Sequence, residues 1–308
     1  MTAAFEAPGM PSDAALWVGG PEGTLAEGTY GRYTADTSVP LGSTSQWLAS
    51  ATLLSLADAG RLNLDDTLAE LLPEAPEDKG AITLRQLLSH TSGLPAEHPC
   101  LADSSSDLAG CAWQILDEPL RATPGTEVYF GNASYQVAGL VAEATTGRSW
   151  SEIVDAALIR PLALESTGWA AGTNPAIGAG AHSSARDLGR FLTMLLRGGA
   201  FDGQEVLSAD SAEALLSPQA GAARDTHSPV TDGGRMGLGT WIRGRGAATT
   251  AWAPGTFGAT PWVDREHAVA GVWLVVDRRD RELPLAGELI RLAAETLAST
   301  TADPAGQL

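Results

Sequence analysis

Positive charge is scarce in this sequence. Its 308 residues include 19 Lys and Arg against 37 Asp and Glu, the formal net charge is −18, and Lys79 is the single lysine. Nucleic acids and anionic membrane surfaces attract basic proteins, so this charge argues against both as partners. The general interpretation is an acidic surface on a globular protein, which agrees with the hydrophobic content of 44% and charged content of 18%.

Cysteine and long apolar runs are also scarce. The spacing of the two cysteines, Cys100 and Cys111, matches no common zinc pattern, and no His, Asp and Glu spacing suggests another metal, so we expect no metal and no cofactor. No apolar run reaches the ~18 residues of a membrane span. Residues 1–13 lack the basic and apolar parts of a secretory signal. These absences predict a cytoplasmic protein whose cysteines are structural free thiols rather than a disulfide.

The most informative motif is Gly42-Ser43-Thr44-Ser45-Gln46-Trp47. A serine in the first turn of a helix with a lysine three residues later is the nucleophile motif of penicillin-recognising serine enzymes. Positions i and i+3 share one helix face, so the lysine can take the serine proton. Gln46 stands in the lysine's position, and an amide cannot accept and return a proton at neutral pH. The motif therefore predicts a nucleophile, Ser43, without its usual base; the alternative is that Ser43 only caps the helix.

Further segments resemble the serine β-lactamase and penicillin-binding-protein family, in particular the esterases and peptidases related to class C β-lactamases. They follow the family's order from about residue 14 to about residue 298, and they are residues 43–66, 82–95, 124–135, 161–169 and 183–188. The resemblance implies an α/β (α+β) fold, with an antiparallel sheet flanked by helices, an inserted helical lobe, and an active-site cleft between them. Residues 1–50 and 185–308 would form the sheet lobe, and residues 51–184 the helical lobe.

Two more positions depart from the family's motifs. Phe130 stands where the family has its catalytic tyrosine, so the second proton shuttle is lost. The third motif, Lys or His followed by any residue and Gly, falls at residues 253–255, Ala-Pro-Gly, or is a variant of the Trp-Gly-Gly of one esterase subgroup at residues 252–254. Proline there offers no backbone N–H. Of the polar set, Ser43 and Asn132 remain, and Asn132 would hold a substrate amide.

Local patterns predict the elements around these motifs. Alternation and turn residues predict strands, and apolar spacing, with a capping box at Thr83 and Gln86, predicts helices. The predicted strands are residues 14–19, 24–30, 237–242, 260–263 and 269–276. The predicted helices are residues 44–59, one that begins after Thr83 and ends near Gly93, and residues 107–117, 134–146, 151–158, 184–197, 209–216 and 285–298.

One histidine is a candidate to replace the missing lysine. His182 lies where the family has a small or apolar residue close to the cleft, and it could act as a general base at neutral pH. The alternative is that His182 is a surface residue, or that it contacts residues of the site and not the ligand. His90 belongs to the family's His-Thr-Ser-Gly motif, and we expect it to form hydrogen bonds at a helix end.

The remaining candidates would bind the ligand. Gln46 could orient a substrate carbonyl or a water molecule, or only fill the lysine's space. Phe130 would pack against substrate or Trp47. Trp47 and Trp252 would line an aromatic pocket, although buried tryptophan is also ordinary core. Gly255 would border the cleft on the sheet edge.

These residues leave three functions open. The first is hydrolysis or acyl transfer of an ester or amide through Ser43, on a cytoplasmic small molecule and without efficient β-lactamase activity, because loss of a general acid–base costs 10²–10⁴-fold. The second is a non-covalent cyclase or isomerase that tailors secondary metabolites. The third is a catalytically dead protein that binds a ligand. The oligomeric state does not follow from the sequence.

Overall fold

A seven-stranded antiparallel sheet joins the two ends of the described chain. The computed structural model describes residues 12–230, 233–246 and 248–276. The strand order is β10-β11-β12-β13-β14-β1-β2, and Ala14 of the first strand pairs with Val275 of the last. The strands are β1 (Ala14–Gly20), β2 (Gly23–Tyr30), β10 (Arg235–Met236), β11 (Trp241–Arg245), β12 (Ala248–Trp252), β13 (Thr260–Asp264) and β14 (Val269–Val275).

Short strands build three smaller sheets. A three-stranded sheet has the order β3-β6-β5, β4 pairs with β9 in parallel, and β7 pairs with β8. Their bounds are β3 (Val39–Pro40), β4 (Glu127–Tyr129), β5 (Gly168–Trp169), β6 (Ala181–Ser183), β7 (Ala200–Phe201), β8 (Gln204–Glu205) and β9 (Arg224–His227).

Helices fill the middle of the chain. Within the described residues they are α1 (Ser45–Asp58), α2 (Leu68–Leu71), α3 (Leu84–Leu88), α4 (Leu108–Asp117), α5 (Ala133–Thr146), α6 (Trp150–Val154), α7 (Ala185–Leu196) and α8 (Ala209–Leu215), with a π-helical segment at Asp155–Ile159. Helix α1 is buried over its first ten residues and contacts α5, α6 and α8, so it is the centre on which the other helices pack. Helix α7 contacts β1 and β14 and covers the sheet.

Most of the predicted elements are confirmed. The capping box is present, since Thr83 accepts a hydrogen bond from the backbone N–H of Gln86 and donates its own backbone N–H to the Gln86 side chain. The strand predicted at residues 237–242 begins instead at Trp241, because Gly239 has a φ of +72° and forms a turn before it. The predictions for this sheet do not include β10 and β12. The helix predicted at residues 285–298 lies outside the described residues.

The cysteines correct one expectation. Cys100 and Cys111 form a disulfide, with their Cα atoms 5.3 Å apart, and are not free thiols. The bridge attaches the 3₁₀ turn Pro99–Ala102 to helix α4. Disulfides persist in oxidising compartments, so this bridge counts against the predicted cytoplasmic location. Across the described ranges, no helix combines the length and the apolar character that crossing a membrane requires.

Candidate active-site cleft

The Ser43 hydroxyl lies in a tight turn that leads directly into α1. Residues Gly42–Thr44 form a 3₁₀ turn whose N-cap position is Leu41, so Ser43 is not a capping residue. Its side chain is 8% exposed, and no hydrogen bond joins its Oγ to another residue of the described ranges. Ser43 is therefore largely buried, its Oγ retains some contact with solvent, and no base is hydrogen-bonded to it in the described ranges.

A loop after β12 holds this turn closely. Thr44 Oγ1 donates a 2.6 Å hydrogen bond to the carbonyl oxygen of Ala253. Gly255 lies against the turn so closely that a Cβ there would overlap the Leu41 carbonyl oxygen, and its own N–H is bonded to Ala259. Gly255 thus permits backbone packing, and its amide is not available to a ligand.

The same loop leaves one backbone donor open beside Gly42, the residue before Ser43. Gly42 has a φ of +57°, and a Cβ there would be 2.9 Å from the backbone nitrogen of Thr256. The Thr256 N–H has no acceptor among the residues that the structure describes. Ser43 lies in the 3₁₀ turn that leads into α1, and the first N–H groups of a helix lack intrahelical partners. Phe257, next in the loop, is 41% exposed. We call Ser43, Thr256 and Phe257 the open end of the cleft.

Gln46, by contrast, is fully buried, and both the nitrogen and the oxygen of its side-chain amide form hydrogen bonds. Its Nε2 donates to the carbonyl oxygen of Gly131 at 3.2 Å and to Asn132 Oδ1 at 3.3 Å. Its Oε1 is 3.0 Å from His90 Nε2. The side chain that replaces the family's lysine is thus fixed by internal hydrogen bonds. We call Gln46, His90 and Asn132 the closed end of the cleft.

His90 lies at the end of helix α3 and is hydrogen-bonded, as expected, and its ring also reaches the site. Its φ is +57°, an unusual backbone conformation for a residue with a side chain, and the ring is 1% exposed. Burial lowers the pKa of His90 to about 3, so the ring is neutral at neutral pH. Because Gln46 Oε1 can only accept, Nε2 carries the proton, and Nδ1 is then an acceptor without a partner in the described chain.

The aromatic residues of the segment face two directions. Phe130 packs on the His90 ring, with centroids 4.6 Å apart, and on Trp241 at 5.6 Å. Tyr129 instead stacks on His227 at 4.5 Å. Tyr129 therefore cannot supply the phenol that Phe130 lacks. The Tyr135 hydroxyl is buried and donates to the Leu88 carbonyl oxygen, so it is also unavailable.

The Asn132 side chain is held by two partners. Besides the bond from Gln46, its Nδ2 donates to Glu97 Oε1 at 2.8 Å, and its backbone N–H lies 3.2 Å from the same oxygen. Loss of hydration raises the pKa of Glu97, and the bonds from Asn132 act in the opposite direction. A ligand amide at Asn132 would have to share or displace these bonds.

The other predicted residues form no hydrogen bond with the Ser43 hydroxyl in the described ranges. Trp47 is 1% exposed and meets Phe191 edge-on, and Trp252 is 5% exposed with the Arg243 guanidinium over its ring, so both belong to the core rather than to an open pocket. His182 lies in β6, opposite Pro40 and Gly168. No hydrogen bond joins its side chain to Ser43 within the described ranges.

Sequence reasoning missed three contributors: the His90 ring, Glu97 and the Thr256 amide. The His-Thr-Ser-Gly motif marked the first, but not the direction of its ring. No local pattern marked Glu97, whose partner is 35 residues away. No group of three metal-binding side chains occurs in the described part of the chain.

Known proteins show the same architecture. The beta-lactamase family model matches residues 3–295. Penicillin-binding protein 4 of Amycolatopsis lactamdurans is 29% identical over 246 residues, which are 68% of this chain and 64% of that relative. A beta-lactamase structure from Mycobacterium bovis has a TM-score of 0.70 at 24% identity, covering 95% of this chain and 98% of its own. The structure of EstCE1, a hydrolase with promiscuous acyltransferase activity, has a TM-score of 0.74 at 19% identity over 92% and 93%.

Proposed function

The chain belongs to the beta-lactamase family, and from that premise we propose that it binds a small molecule with a carbonyl or carboxylate group at the open end of the cleft, without acylation of Ser43 at the family's rates. The observation that carries the proposal is the environment of Gln46. Its amide oxygen accepts from His90 and its amide nitrogen donates to Gly131 and Asn132. The position that would activate the serine is therefore occupied by a fixed, non-basic group.

No second base compensates at the closed end. His90 is neutral and buried, its protonated nitrogen points to Gln46, and Phe130 has no hydroxyl. A positioned general acid or base is worth 10²–10⁴ in rate, so a site without either loses most of the acyl chemistry.

Ligand binding requires hydrogen-bond donors and a complementary surface, whereas acyl transfer also requires a positioned acid or base. The open end of the cleft retains the donors and an apolar surface. The Thr256 N–H, which has no acceptor in the described ranges, and the 3₁₀ turn of Ser43 at the start of α1 can present donors to an oxygen atom. The exposed Phe257 ring beside them offers an apolar surface to the rest of the ligand. These groups suit a carboxylate or a polarised carbonyl and require no proton transfer.

The first experiment is intact-protein mass spectrometry after exposure to a penicillin, an activated ester and a fluorophosphonate, with Ser43→Ala as the control. We expect no adduct in the wild type over the time in which an active family member is fully labelled. A stoichiometric adduct that Ser43→Ala lacks would contradict the proposal.

The binding itself is tested with benzoate and benzamide by ligand-observed NMR. Thr256→Pro removes the open N–H, and Thr256→Ala is the matched control because it keeps that N–H. We expect benzoate affinity to fall about tenfold in Thr256→Pro and to stay unchanged in Thr256→Ala. Equal affinity in the three proteins would mean that Thr256 does not bind the ligand.

The second candidate is hydrolysis or acyl transfer through Ser43 with His182 as base. One observation favours it: His182 pairs with Pro40, three residues before Ser43, so the two elements are neighbours. A Ser43-dependent adduct that disappears in His182→Gln would select this candidate.

A further inference from the structure

Glu97 places a carboxylate beside Asn132 of the closed end. Its Oε1 accepts from the Asn132 side chain at 2.8 Å and from the Asn132 backbone at 3.2 Å. Its Oε2 accepts no hydrogen bond in the described part of the chain. The side chain is exposed, so a molecule from solution can reach it.

Backbone packing fixes the position of the segment that carries Glu97. The carbonyl oxygen of Ala96 accepts the N–H groups of both Asn132 and Ala133. Gly131 lies so close to Ala96 that any side chain at Gly131 would overlap its backbone. The start of α5 and the residue before Glu97 are therefore one packed unit, and the carboxylate is held beside Asn132.

This charge has no counter-ion. In the described ranges no Lys, Arg or His lies within ion-pair distance of Glu97; the neighbouring His98 is paired with Glu118, and Arg121 lies over the Tyr129 ring. Partial burial raises the pKa of Glu97, and the bonds from Asn132 oppose that rise. A cation at the free Oε2 would favour the charged carboxylate.

We propose that Glu97 selects ligands with a protonated amine, so that the molecule bound in the cleft carries an ammonium group toward Glu97 and a carbonyl or carboxylate group toward Ser43 and Thr256. The second half of this statement rests on the function proposed above. A charge-assisted hydrogen bond is about twice as strong as a neutral one, so the ammonium group contributes selectivity. The acidic protein as a whole favours the approach of such cations.

The experiment compares the affinities of 3- and 4-(aminomethyl)benzamide, which carry an ammonium group and a carbonyl, with those of their N-acetylated analogues. Benzylamine has only the ammonium group and benzamide only the carbonyl. The proteins are wild type, Glu97→Gln, which keeps an acceptor for Asn132, and Glu205→Gln, which removes an exposed carboxylate elsewhere. Melting temperatures confirm that each variant is folded.

We expect the wild type and Glu205→Gln to bind at least one aminomethyl isomer about tenfold more tightly than its N-acetylated analogue, and Glu97→Gln to lose that preference. Equal affinities in the wild type, or a preference that survives Glu97→Gln, would overturn the inference and leave the proposed function intact. Glu97-dependent binding of benzylamine without any binding of benzamide would support Glu97 and contradict the carbonyl site. Absence of binding by every probe would overturn both.

Discussion

The polar groups at the two ends of the cleft differ in whether they have hydrogen-bond partners. At the closed end, the Gln46 amide, the Asn132 side chain and His90 Nε2 are bonded to one another or to nearby groups. At the open end, Ser43 Oγ and the Thr256 N–H have no partner within the described ranges. The positions that move protons in the family are used here for internal hydrogen bonds, and the hydroxyl and N–H at the open end remain without partners. Under the function proposed above, the site has lost the groups that move protons and has kept the groups that would bind a ligand oxygen.

Restoring the proton shuttles should have the largest effect. We expect Gln46→Lys combined with Phe130→Tyr to hydrolyse nitrophenyl esters at least about a hundredfold faster than wild type, because a positioned base and acid are regained. The closed end can accept the lysine: Asn132 Oδ1 can receive a bond from it, and the unpartnered Nδ1 of His90 lets that ring shift its proton away from Nε2.

Gln46→Met with Phe130→Tyr is the control for this gain, since it fills similar volume without a base. Adding Ser43→Ala to the active pair should abolish the activity. If the pair gains nothing while it remains folded, the open end has diverged as well, and the contrast between the two ends is wrong.

The fold was largely predictable from the sequence, because its signals are local. Neighbouring residues correctly predict the capping box at Thr83, the apolar helix after Ser43 and the buried strands β1 and β14. The site was predictable only where a motif marked it. The contact of His90 with Gln46 depends on a positive φ, and that of Glu97 with Asn132 on a packed loop, and neither is encoded within a few residues.

The closed end should also make stability depend on pH. The ordinary pKa of histidine is about 6.5, and burial lowers that of His90 to about 3. Between these values the unfolded chain binds a proton that the folded chain does not, so stability is fully present above pH 6.5 and is lost as the pH falls toward 3. We expect His90 to account for a loss of about 2 kcal/mol between pH 7 and pH 5.

Urea unfolding of wild type and His90→Asn at both pH values measures this loss. Asparagine tolerates the positive φ and does not titrate. The variant is expected to be less stable at pH 7 and to show a smaller pH dependence, by about 2 kcal/mol. Other titrating groups, such as His267, whose pKa is raised by Asp264, are common to both proteins and cancel. Equal pH dependence would show that His90 is not held neutral by burial.

The smallest expected effect distinguishes two serines of one turn. Ser45 Oγ is buried, donates to the Gly42 carbonyl oxygen at 2.6 Å and accepts from the Ala181 N–H at 3.0 Å. Ser45→Ala would leave that N–H buried without an acceptor, at a cost of about 1–3 kcal/mol of unfolding free energy. Ser43→Ala removes a hydroxyl without a partner, so its effect should stay within about 0.5 kcal/mol. Denaturant unfolding at pH 7 measures the unfolding free energy of both variants. If Ser43→Ala loses as much unfolding free energy as Ser45→Ala, Ser43 supports the fold and the open end is not free for a ligand.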